Sequence, residues 1–285
     1  MLDHKLLIVS GKGGVGKSAV AASLALQAGR RGASALAISL ADPIGLATHL
    51  GVGSLGYDAK PVAPGVAVAA VDRARALDEY LRLQLRVPRA APLGQFSRIF
   101  QVLIDTAPGV REIVSMGKPI FEVWKEDWDI VIVDAPPLGQ LQSYLGAPAT
   151  IAELVPSGAV KEQAARMRDT LADQSTSGLV LVTTPEELPT IETSEMLELL
   201  ADEPIIDVVG VVTNRVITPM TLEAGVFDAL PSGSIRAAAH LHQMLAADQQ
   251  RWLEVLPAGP QLAHQFGVLT APELAATLTD AWDEL

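Results

Sequence analysis

Residues 11–18 read Gly11-Lys12-Gly13-Gly14-Val15-Gly16-Lys17-Ser18 and satisfy every fixed position of the phosphate-binding pattern G-x-x-x-x-G-K-[ST]. The glycines free the backbone to curl so that its N–H groups point at a polyphosphate. Lys17 is the residue that lies against the β- and γ-phosphates in such a loop, and the Ser18 hydroxyl is placed for Mg²⁺. Lys12 is an additional lysine. One nucleotide in one loop needs only one, so Lys12 reads as a charge offered to another subunit's nucleotide.

Two acidic positions complete a nucleotide-hydrolysing set. Asp129-Ile130-Val131-Ile132-Val133-Asp134 is an apolar run closing on a carboxylate, the pattern in which the acid reaches the Mg²⁺ shell. The loop Ala135-Pro136-Pro137-Leu138-Gly139 then stands where it senses a γ-phosphate. Asp42, in Ser39-Leu40-Ala41-Asp42-Pro43, lies past a second strand and reaches the same crevice. It either orients the attacking water or simply forms an Asp-Pro turn, and its local sequence does not choose between the two.

These groups need a scaffold, and the chain supplies alternating strand and helix patterns, the signature of a doubly wound, mostly parallel α/β sheet flanked by helices. Strands are predicted at 5–10, 34–40, 66–72, 129–134, 178–183, 207–213 and 252–256, and helices at 18–31, 74–86, 159–173, 190–201, 234–249 and 272–283. Strand, glycine loop and helix in that order set Gly11 to Ala19 at a helix N-terminus, where phosphates bind. Residues 73–127 break the alternation as a small helical insert punctuated by Pro88, Pro92, Pro108 and Pro119. Its apolar residues, from Phe96, Ile99 and Phe100 to Phe121 and Trp124, read mostly as core at helical spacing, or else as a surface for an apolar client. No repeat or long linker appears, so residues 1–285 are expected to form a single domain.

Composition narrows the function. The chain has 285 residues, 49% of them hydrophobic, and a net charge of −12. That charge argues against nucleic acid and against anionic membrane surfaces. No apolar run has membrane-spanning length, so no stable membrane insertion is expected, and the absence of a signal-peptide pattern predicts a cytoplasmic protein. His240 and His242 point apart on a helix and read as surface residues, as do the helix-start charges Glu186 and Glu187.

Taken in order, Gly11–Ser18 with Lys12, Asp42-Pro43 and Asp134-Ala135-Pro136-Pro137 resemble the deviant Walker A ATPases. Within that class the chain is similar to the arsenite-pump (ArsA) family and the GET-pathway ATPases, most of all to the paired ArsA-like ATPases of actinobacteria. The 106–112 segment, the 183–193 segment and Val212-Thr213-Asn214-Arg215 extend the likeness, which covers residues 5 to about 215. The resemblance implies ATP and Mg²⁺ as cofactors, with Gly11, Gly13, Gly14, Val15, Gly16, Lys17, Ser18 and Ala19 on the phosphates and Asn214 on adenine. It further implies Ser18, Asp42 and Asp134 around the metal and Lys12, Lys17 and Asp42 as the catalytic residues. It also implies a nucleotide-clamped homodimer, or a heterodimer with a paralogous ATPase, that handles a protein client.

The chain departs from the family at its switches. The family continues Asp-Pro-Ala-His where this chain has Asp42-Pro43-Ile44-Gly45, and Pro-Thr-Gly-His where it has Pro137-Leu138-Gly139-Gln140. The lost polar side chains imply slower hydrolysis or altered switch coupling, and so admit a weakly active subunit of a heterodimer. The absence of cysteine excludes thiol-based arsenite sensing, the Cys-x-x-Cys zinc staple of eukaryotic GET dimers and a cysteine-held iron–sulfur cluster. The acidic end Asp283-Glu284-Leu285 differs from the basic amphipathic helix of septum-site relatives.

Overall fold

Successive side chains of a strand point to opposite faces of its sheet, and that alternation divides the core of this protein in two. The computed structural model describes residues 1–85, 109–220, 226 and 233–284, with Tyr80–Leu85 described by backbone alone. In chain order the described elements are β1 (Leu6–Gly11), α1 (Lys17–Arg30), β2 (Ala35–Ser39), α2 (Pro43–His49), β3 (Lys60–Ala63), β4 (Val66–Ala70) and α3 (Arg73–Leu85). There follow α4 (Val110–Lys125), β5 (Ile130–Asp134), α5 (Leu138–Leu154), α6 (Ala159–Ala172), β6 (Ser177–Thr183) and α7 (Glu187–Asp202). The last are β7 (Val208–Val216), α8 (Gly233–Leu253), β8 (Gln261–Ala263) and α9 (Ala271–Ala281).

The eight strands form one sheet in the order β3-β4-β2-β5-β1-β6-β7-β8, parallel except for β3, which runs antiparallel to β4 at the edge. Leu6 and Ile8 of β1 face one side, where Met116, Ile120, Leu141, Leu145 and Met167 of α4, α5 and α6 cover them. Leu7 and Val9 face the other, against Val20 and Leu24 of α1 and Leu278 and Trp282 at the α9 end. Burial on both faces explains why the inner strands read as unbroken apolar runs. The doubly wound sheet is as predicted.

Three local expectations give way. The 252–256 stretch is no strand: α8 runs to Leu253, and the last strand is Gln261–Ala263, three residues that pair with β7. An apolar run that short reads equally as the last turn of a helix. Pro119 does not interrupt the insert but is buried within α4, which continues through it with one helix hydrogen bond fewer. Helices α2 and α5 were not foreseen, because Asp42-Pro43 and Pro137 read as loop signals whereas here they start helices. Pro88, Pro92, Pro108 and the apolar residues from Phe96 to Ile104 lie outside the described residues.

Candidate functional site

The sheet order brings the carboxyl ends of β1, β2, β5, β6 and β7 to one edge, the place where open α/β sheets bind ligands. Register fixes the relative heights. Asp134 of β5 stands opposite Val9 of β1 on one side and Ser39 of β2 on the other. The glycine loop leaves β1 two residues beyond Val9, and Asp42 follows three residues beyond Ser39. Three short paths from three neighbouring strand ends therefore meet.

The loop curls as its glycines permit. Gly14 (φ 88°) and Gly16 (φ 98°) occupy the left-handed region, and Gly16 is the N-cap of α1. A side chain at Gly16 would also run into the Asn214 amide, 2.4 Å from where its Cβ would stand. Lys17 and Ser18 then form the first turn of α1, with Ala19 buried behind them. The Lys17 ammonium folds back to donate to the Lys12 carbonyl at 3.0 Å. Burial holds it below the usual lysine range, an effect that the Asp134 carboxylate opposes.

Beneath the loop, Ser18 Oγ donates to Asp134 Oδ2 at 2.7 Å. Asp134 is only 5% exposed, and burial pushes its carboxyl up to about 6. The Ser18 hydrogen bond and Lys17 work against that rise, and the Asp42 carboxylate adds to it. Asp42 is exposed and caps α2, its Oδ1 accepting from Ile44 N at 3.0 Å. It is thus a turn-former that also lies near enough to Asp134 to act on its charge.

The hydroxyl and carboxylate pair is a hard oxygen donor set of the kind Mg²⁺ accepts alongside phosphate and water. Among the described residues no group of three or more His, Cys, Asp or Glu gathers around a metal position. Asn214 of β7 sits against the loop, its Nδ2 donating to Val15 O at 2.9 Å and its Oδ1 accepting from Arg215 N at 2.9 Å. Arg215, still within β7, has φ 58°, a left-handed conformation that is uncommon for a residue with a side chain.

The predicted residues from Gly11 to Ala19 and Asp42, Asp134 and Asn214 are thus brought together. The Lys12 side chain leaves the cluster and pairs with Glu192 of α7.

A family model described as anion-transporting ATPase matches residues 4–157, a span that runs from the start of β1 past the Asp134 strand and through α5. The chain belongs to that family. This anion-transporting ATPase family member is 29% identical to ATPase BagA of Mycobacterium tuberculosis over 248 residues, covering 82% of this chain and 72% of the relative. It is 29% identical to ATPase get3 of Schizosaccharomyces pombe over 150 residues, 52% of this chain and 44% of that one. Against ATPase GET3 of Podospora anserina it is 25% identical over 259 residues, 77% of this chain and 76% of the other. The family member is an ATPase, and no helix among its described residues is long and apolar enough to cross a membrane.

Three residues of this ATPase were not singled out from sequence. Gly45 of α2 presses on Ser18: a Cβ there would stand 2.6 Å from Ser18 Oγ. Ser10 Oγ donates to Pro136 O at 2.7 Å and ties the Asp134 loop to β1. Glu192 meets Lys12 from 180 positions away, a distance at which no sequence pattern signals pairing. Gly45 alone carried a signal, as one of the departures from the family's switch.

Proposed function

We propose that the chain is a Mg²⁺-dependent ATPase that works as a nucleotide-clamped dimer and passes its closing motion to a protein client or partner. The observation that carries this reading is the meeting of Lys17, Ser18, Asp134 and Asp42 beneath a left-handed glycine loop. The loop's N–H groups and the α1 N-terminus bind the β- and γ-phosphates, and Lys17 balances their charge. Ser18 and Asp134 hold Mg²⁺, which when bound neutralises charge between those phosphates. Asp42 orients a water in line with the γ-phosphorus. The water oxygen bonds to phosphorus as the bond to the ADP oxygen breaks. Asn214, beside Gly16, reads the adenine edge. Residues 1–285 act as one domain, located in the cytoplasm.

Two features support the dimer. Lys12 is not needed by its own loop, since Lys17 already serves it. Exposed apolar side chains also ring the site: Ile44 on α2, next to Gly45, and Leu188 and Ile191 on α7, beside Glu192. Client handling is supported by a cavity of about 260 Å³, lined chiefly by apolar residues of α3 to α6 including Leu77, Ile113, Phe121, Ile151 and Met167. A second reading, a weakly active subunit completed by a paralogue, is favoured by the apolar switch residues Ile44 and Leu138. Substitution separates activity from mere binding: Lys17→Ala and Asp42→Asn are expected to lower steady-state ATP turnover about 100-fold or more. Undiminished turnover in both variants contradicts the hydrolytic reading. Turnover that appears only on mixing with a paralogue supports the second.

A further inference from the structure

Lys12 is the residue that the dimer reading needs most, and in the single chain it is already engaged. Its ammonium donates to Glu192 Oε1 on the second turn of α7. The pair is only partly exposed, with side-chain exposures of 27% and 37%. Glu192 is held by a stiff local frame. Thr190 and Thr193 on either side of it are fully buried, and Thr193 Oγ1 donates to Pro189 O at 2.7 Å. Ile191 and Leu188, by contrast, face outward without cover. The backbone that carries Glu192 is therefore anchored beside the Lys12 ammonium.

The Lys12 ammonium has three N–H donors, and in the single chain this carboxylate already holds it. Resting on the dimer reading above, we infer that Glu192 is a positioning residue for Lys12, a latch that holds it on its own subunit until a second subunit's nucleotide takes it. Closing two subunits breaks two such pairs. Each released Glu192 carboxylate then faces polyphosphate, which adds like-charge repulsion to the cost of closure. The latch thus raises the protein concentration needed for closure and leaves chemistry in the closed dimer unaltered. It also tells apart two occupied states of one loop: ATP bound with Lys12 still parked, and ATP bound with Lys12 delivered.

The experiment follows ATP turnover against protein concentration, together with mass by light scattering in Mg²⁺ and ATP, for wild type, Glu192→Gln and Glu192→Asp. Partly exposed ion pairs are individually weak, so two broken pairs correspond to a roughly 2- to 30-fold lower half-saturating protein concentration in Glu192→Gln. Plateau turnover per chain is expected to stay within about 2-fold, and Glu192→Asp, which keeps the charge, is expected to stay near wild type. In a Lys12→Ala background, where single chains are expected, Glu192→Gln should restore neither the dimer nor turnover, as a residue that acts through Lys12 requires. A wild type that dimerises while Glu192→Gln leaves its concentration dependence unmoved, or lowers the plateau alone, overturns the latch only. A wild type whose mass stays at one chain in Mg²⁺ and ATP, with specific turnover independent of concentration, overturns the dimer reading and the latch with it.

Discussion

Asp134 is the most sensitive side chain of the site, because its carboxyl is buried between the opposing influences of Lys17 and Asp42. Its native carboxyl titrates at about 6. In an unfolded chain an aspartate releases its proton near ~3.9. Between those values the native state binds more protons than the unfolded state, so this residue's contribution to stability is present at low pH and is lost as pH rises through about 6. Asp134→Asn, which mimics the neutral acid, should therefore stabilise the nucleotide-free protein by up to about 3 kcal/mol at pH 8 and by little at pH 4. Urea unfolding of both proteins across that range checks it, and a difference independent of pH would contradict it. The loop residues and Asp134 were legible in sequence because their chemistry imposes fixed spacing. Ser10 was not, and Gly45 showed only as a departure from the family's switch: the close approach of Gly45 to Ser18 and the hydrogen bond from Ser10 to Pro136 exist only once the chain is folded.

At the scale of elements, the site rests on α1, and α1 rests on the far end of the chain. Trp282, just past α9, is buried and donates from Nε1 to Ser23 Oγ at 2.9 Å. Gln27 Nε2 reaches Asp283 at 2.6 Å, and Thr279 Oγ1 contacts Ser23 O at 3.4 Å. The capping box at Thr270 and Glu273 starts α9 firmly, so the helix is a built part of the fold and not an appendage. Trp282→Ala should cost about 3–5 kcal/mol of stability. Trp282→Phe, which keeps most of the apolar contact, should cost about 1 kcal/mol. Chemical denaturation measures both, and a loss under about 0.5 kcal/mol in the alanine variant would contradict this support of α1. Sequence periodicity located α9 and most of the parallel strands because those segments are uniformly apolar or strongly periodic. It mistook the end of α8 for a strand and passed over α2 and α5, where proline looked like a terminator but marks a first turn.

At the scale of the whole molecule, the proposed function gives one chain a nucleotide site of its own and leaves Lys12 for a second subunit. A net charge of −12 opposes association of two copies, so the proposed dimer would depend on what the nucleotide and Lys12 contribute at the shared face. High salt screens that repulsion and the Lys12–phosphate attraction alike. The quaternary prediction was readable in outline from the extra lysine, but its competitor Glu192 appears only in three dimensions. Mass in solution tests the central claim most directly, using Asp42→Asn to slow turnover and hold ATP and Mg²⁺ in place. The expected result is a species of twice the 30.0 kDa chain with ATP and a return to single chains with ADP or with Lys12→Ala. A mass that stays at one chain in ATP and Mg²⁺, while wild-type specific turnover stays constant on dilution, would contradict it.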